Sequence, residues 1–179
     1  ADALPQIPGV EIIVNLQGEA PLTPPWFVEP LIDAKQADPT HARATPVLRC
    51  EPDTLQSFLD DRRAGRVGGT TAVFDRTGRA LYFSKNVLPY LPQYDISAPC
   101  PVFHHVGVYA YRRDVLAAYP TWPPGPLERM EGLEQLRFLE NGQAIQCVEV
   151  EARETGFWEV NNPEDVPRVE AMLAARGLE

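Results

Sequence analysis

Residues 11–20 read EIIVNLQGEA, and this stretch decides the fold. Residues 11–16 form a nearly continuous β-branched, apolar run. A run of that kind reads as a strand buried on both faces. Gln17-Gly18-Glu19-Ala20-Pro21 then breaks it sharply. A polar turn straight after a buried strand is where α/β sheets place their ligands, outside the carboxyl ends of the strands. Glu19 is therefore the first candidate site residue, as a hard oxygen donor suited to Mg²⁺. An exposed loop carboxylate is the alternative at that position.

Moving outward, the pattern alternates. A helix is expected from Pro25, with Trp26, Leu31 and Ile32 at apolar positions; proline is tolerated at a helix start, where the first N–H groups lack partners. Residues 42–50 read as a strand. Asp53 is expected to cap a short helix carrying Leu55, Phe58 and Leu59. Residues 70–74 and 80–84 flank Asp75-Arg76-Thr77-Gly78 and read as a hairpin. Residues 86–101 form a Pro-rich connecting loop. Residues 103–111, FHHVGVYAY, read as one strand, and Gly107 inside it marks close approach of a ligand or another backbone. A short helix over 113–119 precedes a stronger one over 126–141, with Leu127, Met130, Leu133, Leu136 and Leu139 at helical spacing and Asn141-Gly142 as its stop. Residues 144–150 read as a strand. Asn162 caps a last helix that has Pro163 at its first position and runs to about Arg176. The whole predicts a single α/β domain over 1–179, with a mixed, mostly parallel central sheet.

Composition narrows the function. The 179 residues are 44% hydrophobic and 23% charged, with a net charge of −9. That charge repels nucleic acid and anionic membrane surfaces, so neither is expected as a partner. Arg62, Arg63 and Arg66 form the only small basic cluster and read as a solvated helix end. Cys50, Cys100 and Cys147 are odd in number and widely spaced, which argues against a disulfide framework or a CxxC metal site. No apolar run approaches the roughly 20 residues that cross a bilayer. The first ten residues lack the basic and apolar regions of a signal peptide. These features point to the cytoplasm.

Other residues carry candidate chemistry. His104 and His105 are adjacent in a strand and must point to opposite faces. Glu128, Glu131, Glu134 and Gln135 lie on the 126–141 helix, with Glu131 and Gln135 four apart; such a face hydrogen-bonds sugar hydroxyls or is simply a solvated stripe. Lys85, at a strand end, neutralises a substrate carboxylate or is a surface lysine. No P-loop, dinucleotide fingerprint or G-x-S-x-G motif occurs, and Val67-Gly68-Gly69-Thr70 is too generic for a phosphate loop.

Four segments occur in order: IIVNLQGEAPL (12–22), GRALYFSKNVLPY (78–90), FHHVGVYAYRRDVL (103–116) and WPPGPLERMEGLEQLRFLENG (122–142). Together they resemble the 3-deoxy-manno-octulosonate (Kdo) cytidylyltransferases, or CMP-Kdo synthetases, and the tail NNPEDVPRV resembles that family's closing helix. The resemblance implies a Rossmann-like nucleotidyltransferase, a cytosolic homodimer. It uses Mg²⁺ to join CTP and Kdo into CMP-Kdo and pyrophosphate for lipopolysaccharide synthesis. Carried over by position, Gln17 and Gly18 fall on the family's Q-G turn. Glu19 falls on a metal-binding aspartate and Asn161 on the second. Lys85 stands where a sugar-contacting arginine does. His105 and Tyr109 match the histidine and tyrosine of the R-H-x-G-x-Y strand, and Glu131, Glu134 and Gln135 match the sugar-facing helix. Arg129 stands where the family has histidine. The family's N-terminal P-A-R-x-x-S-x-R-L-P-x-K-P-L motif has no counterpart here. The expectation is therefore an N-terminally truncated chain lacking the nucleotide-binding segment, that segment being either a separate chain or a part of the protein outside this sequence. Two other readings follow from these departures: a catalytically inactive relative that binds an acidic sugar or a complete synthetase, and a cytidylyltransferase for another ulosonic acid.

Overall fold

The computed structural model describes residues 1–67, 69–91, 98–153 and 156–177. After a short 3-10 turn at Leu4–Gln6, the chain forms β1 (Ile12–Leu16), α1 (Pro25–Ala37), β2 (Arg43–Arg49), α2 (Pro52–Arg63), β3 (Thr71–Phe74) and β4 (Ala80–Ser84). Then come β5 (Phe103–His105), β6 (Val108–Arg112), α3 (Arg113–Ala118), α4 (Pro126–Glu131), α5 (Gln135–Glu140), β7 (Ile145–Val150) and α6 (Val166–Ala175). Residues 86–91 and 98–101 of the expected connecting loop carry no helix or strand; 92–97 lie outside the described residues.

The strands join in one sheet of order β1-β6-β2-β5-β3-β4, with β7 along the other side of β2. This corrects the expectation of a mostly parallel sheet. Among the described residues, only β2 and β7 pair parallel, and every other ladder is antiparallel. The physical reason is the place of β6. Alternating strands and helices do send β1 and β2 the same way, but β6 runs between them, antiparallel to both.

The position of β1 follows. It was read as buried on both faces, yet among the described residues it pairs with β6 alone, so it is an edge strand. Ile12, Ile13 and Val14 are half-buried, and Asn15 and Leu16 are exposed.

Period-2 alternation divides the core. Ala44, Leu48, Val108 and Ala110 face the layer built from Phe27 and Leu31 of α1, Leu55 and Phe58 of α2, and Val169 of α6. Val47, Tyr109, Tyr111 and Phe83 face the other side, against Leu133 and against Leu136 and Phe138 of α5. His104 and His105 do point to opposite faces: His104 packs edge-on against Phe58, His105 against Phe83.

Two elements read as continuous are broken. The expected 103–111 strand is β5 and β6, parted at Val106-Gly107. The expected 126–141 helix is α4 and α5, parted by Gly132, which caps α4 in the left-handed conformation (φ 63°). That angle suits glycine because it has no Cβ to clash. A smaller correction concerns α2: Glu51, not Asp53, is its N-cap, and Asp53 lies in the first turn. The last helix starts as read, with Asn162 and Asp165 forming a capping box ahead of a 3-10 turn at Pro163–Asp165.

Candidate functional site

The break at Gly107 brings the end of β1, the β5–β6 bend and the α4–α5 turn together around a cavity of about 270 Å³. Of the residues singled out in the sequence, Gln17, Glu19, Lys85, His105, Tyr109, Glu134, Gln135 and Asn161 all line it. Gly18 and Glu131 do not. Gly18 is exposed in the turn beside it. The Glu131 carboxylate instead accepts the Ser84 hydroxyl at 2.7 Å and the Lys85 backbone N–H at 2.9 Å. The broken helix explains this: Glu131 ends α4 facing β4, while Glu134 and Gln135, beyond Gly132, face the cavity. Gly132 lets the Lys85 ammonium approach, since a Cβ there would lie 3.0 Å from Nζ.

His105 is buried and stacked on Tyr109, with ring centroids 5.6 Å apart. Its Nε2 lies 3.0 Å from Thr45 Oγ1. That hydroxyl reaches the backbone carbonyl of Val108 at 2.9 Å. A hydroxyl has one proton to give. With that proton on Val108 O, Nε2 is the donor to Thr45 and Nδ1 is left as an acceptor. Burial, then the neighbouring Arg43 and His104, push the His105 pKa well below its ordinary 6.5, so the ring is neutral. Burial pushes the Tyr109 phenol far up, and it too stays neutral.

On the opposite wall, Gly107 N–H donates to Glu159 Oε1 at 2.7 Å. Any Cβ on Gly107 would lie 2.7 Å from the Gln17 carboxamide oxygen, so the close approach expected at this glycine is real. The other Glu159 oxygen lies 3.4 Å from His104 Nε2. Glu19 is tied to the same segment, its carbonyl accepting from Val160 N–H at 2.8 Å. Asp165 is occupied by the turn that follows Asn161. It accepts from Trp158 Nε1 at 2.7 Å and from the N–H groups of Asn161 and Asn162 at 3.0 and 2.7 Å.

For a divalent cation, the oxygen-bearing residues of the cavity lining include Glu19 and Asn161. No group of three or more His, Cys, Asp and Glu suited to a metal exists among the described residues. This donor set fits Mg²⁺, which keeps several waters and leans on substrate phosphates, and does not fit a closed all-protein metal cage.

The sequence reading missed Arg43, Thr70, Tyr111 and Gly132, which also line the cavity, as does Val67; Gly68 lies outside the described residues. Arg43 had a legible signal. It begins a strand in register with inward-facing Thr45 and Val47, and a charge at an inward position is the informative exception.

The sequence model of the family described as Cytidylyltransferase matches residues 2–145. The chain belongs to the cytidylyltransferase family. Its relatives include the 3-deoxy-manno-octulosonate cytidylyltransferase of Maricaulis maris, 42% identical over 93% of this chain and 64% of that protein. The enzyme of the same description from Solibacter usitatus is 42% identical over 94% of this chain and 62% of that protein. A solved CMP:2-keto-3-deoxy-manno-octonic acid synthetase, complexed with CTP, superposes with a TM-score of 0.74 at 32% identity, covering 94% of this chain and 64% of that one. The chain is thus a cytidylyltransferase-family protein resembling CMP-Kdo synthetases, and spans under two thirds of these relatives' length.

The family match also corrects the expectation that the nucleotide-binding segment is lacking and the fold N-terminally truncated. The family model matches residues 2–145, most of the chain, and that expectation does not stand against it. That expectation rested on one short motif, whereas a domain is recognised by its pattern of buried strand and helix positions. Finally, no helix among the described residues is long and apolar enough to cross a membrane.

Proposed function

We propose that this protein transfers the cytidylyl group of CTP to an acidic sugar of the Kdo class, releasing pyrophosphate. The observation that carries this is the convergence on one cavity of Gln17, Lys85, His105, Tyr109, Glu134 and Gln135, from segments far apart in the chain. In this reading Gln135, Glu134 and the His105 Nδ1 acceptor hydrogen-bond sugar hydroxyls. Lys85 supplies positive charge, held in place by Glu131 through its backbone. Tyr109 packs beneath the sugar, and the Gln17-Gly18 turn lets backbone approach. Glu19 and Asn161 would hold Mg²⁺, which when bound neutralises phosphate charge. The relatives' descriptions support CTP and Kdo as substrates. A homodimer in the cytoplasm is the setting we propose.

The test is sugar-dependent pyrophosphate release from CTP with Mg²⁺. Release with Kdo supports the proposal. Release only with a different ulosonic acid would reassign the sugar. Kdo binding without release under any condition would favour the inactive relative, the reading that the neutral Asn161 suggests.

A further inference from the structure

Arg43 is the least expected residue in the cavity. Its side chain is almost wholly buried, at 1% exposure, and it lines the cavity wall. Its guanidinium lies over the Tyr109 ring at 3.4 Å, with the Tyr111 and Phe138 rings at 5.1 and 5.2 Å. Its Nε has no hydrogen-bond partner. It belongs to none of the ion pairs among the described residues. The carboxylates that share the cavity are Glu19, Glu134 and Glu159; Glu159 is engaged by Gly107 and His104. The neighbouring phenols cannot serve as counter-ions, because burial raises both Tyr109 and Tyr111 and keeps them neutral. Ring faces satisfy part of a cation's need, but a guanidinium buried beside a polar cavity with no ion pair among the described residues is costly to keep.

We propose that Arg43 is the specificity-determining cation of this site: it pairs with an oxyanion of the bound ligand, the carboxylate of the acidic sugar. This deepens the cytidylyltransferase reading and rests on it. Arginine suits the task, since its planar fork matches a carboxylate with two parallel hydrogen bonds. The Tyr109 face supports that fork in the cavity that His105 and Gln135 also line. A nucleotide phosphate presents the same chemistry, so the experiment must separate the two.

Titration calorimetry on wild type and Arg43→Met, with Kdo, its neutral C1 methyl ester and CTP as three separate probes, does so. The expected result is that Arg43→Met weakens Kdo binding by about tenfold or more, leaves the ester unaffected and leaves CTP unaffected. Its thermal midpoint should match or exceed that of wild type, because an unpaired buried charge has been removed. Arg43→Lys should restore part of the Kdo affinity. Equal Kdo affinity in wild type and Arg43→Met, or equal wild-type affinity for Kdo and its ester, would overturn the Arg43 proposal and leave the sugar site standing. Loss of CTP affinity alone would reassign the oxyanion to the nucleotide and overturn the sugar assignment. Wild type that binds neither Kdo nor its ester would overturn both proposals.

Discussion

His105 packs against Phe83 and Tyr109, and its burial, then Arg43 and His104, oppose its protonation. Its folded pKa is lowered, so between that value and about 6.5 the unfolded chain binds more protons than the folded one. Stability should therefore fall as pH is lowered below about 6.5. Urea unfolding at pH 7, 6 and 5 checks this: the midpoint should drop in wild type and drop less in His105→Gln. An equal drop in both would assign the sensitivity elsewhere. The thiols of Cys50 and Cys147 are pushed up to about 12 by burial. Both should resist alkylation in the folded protein at pH 8 and react once urea unfolds it, as mass spectrometry would show. At this scale much was legible. Strand periodicity alone sends His104 and His105 to opposite faces, and a glycine between apolar residues marks where Gln17 and Glu159 approach. Arg43 was not singled out although its inward strand position was readable; that it joins no ion pair among the described residues depends on strands that meet only in the folded sheet.

Elements turn these residues into a site through their breaks more than their lengths. Gly132 ends α4 with φ 63° and leaves room for Lys85 Nζ. Gly132→Ala should cost about 1 kcal/mol from backbone strain and raise KM for the sugar by displacing Lys85. Denaturant melts and steady-state kinetics would detect the two effects separately; unchanged KM would remove Lys85 from the sugar site. Asp165 closes the last turn before α6 by holding Trp158, Asn161 and Asn162. Asp165→Ala should destabilise by about 2 kcal/mol, a lost cap plus buried donors left unpaired, with urea midpoints as the readout. The capping box was readable from Asn162-Pro163-Glu164-Asp165 because capping is local. The α4–α5 break was not. Leucines at three- and four-residue spacing continue through Gly132, and one glycine amid strong periodicity does not announce a left-handed turn. The sharing of one face by Glu131 and Gln135 failed for the same reason.

Across the whole molecule, the sheet places one wall of the site on β2 and β6 and the other on the segment before α6. Apolar, β-branched runs bounded by turn residues made the strands legible, yet their order was not. Nothing local to residues 103–112 says that β6 slips between β1 and β2, and β1 reads as doubly buried because its β-branched run is the same on an edge strand as in a sheet centre. This cavity, and no other surface, is the acidic-sugar site proposed for the protein. Titration of Kdo into wild type, Gln135→Ala and Leu81→Ala tests it most directly, since Gln135 is buried at the cavity and Leu81 is exposed outside it, at 59%. Saturable binding is expected, weakened about tenfold by Gln135→Ala and unchanged by Leu81→Ala. Equal affinity in all three proteins would contradict it.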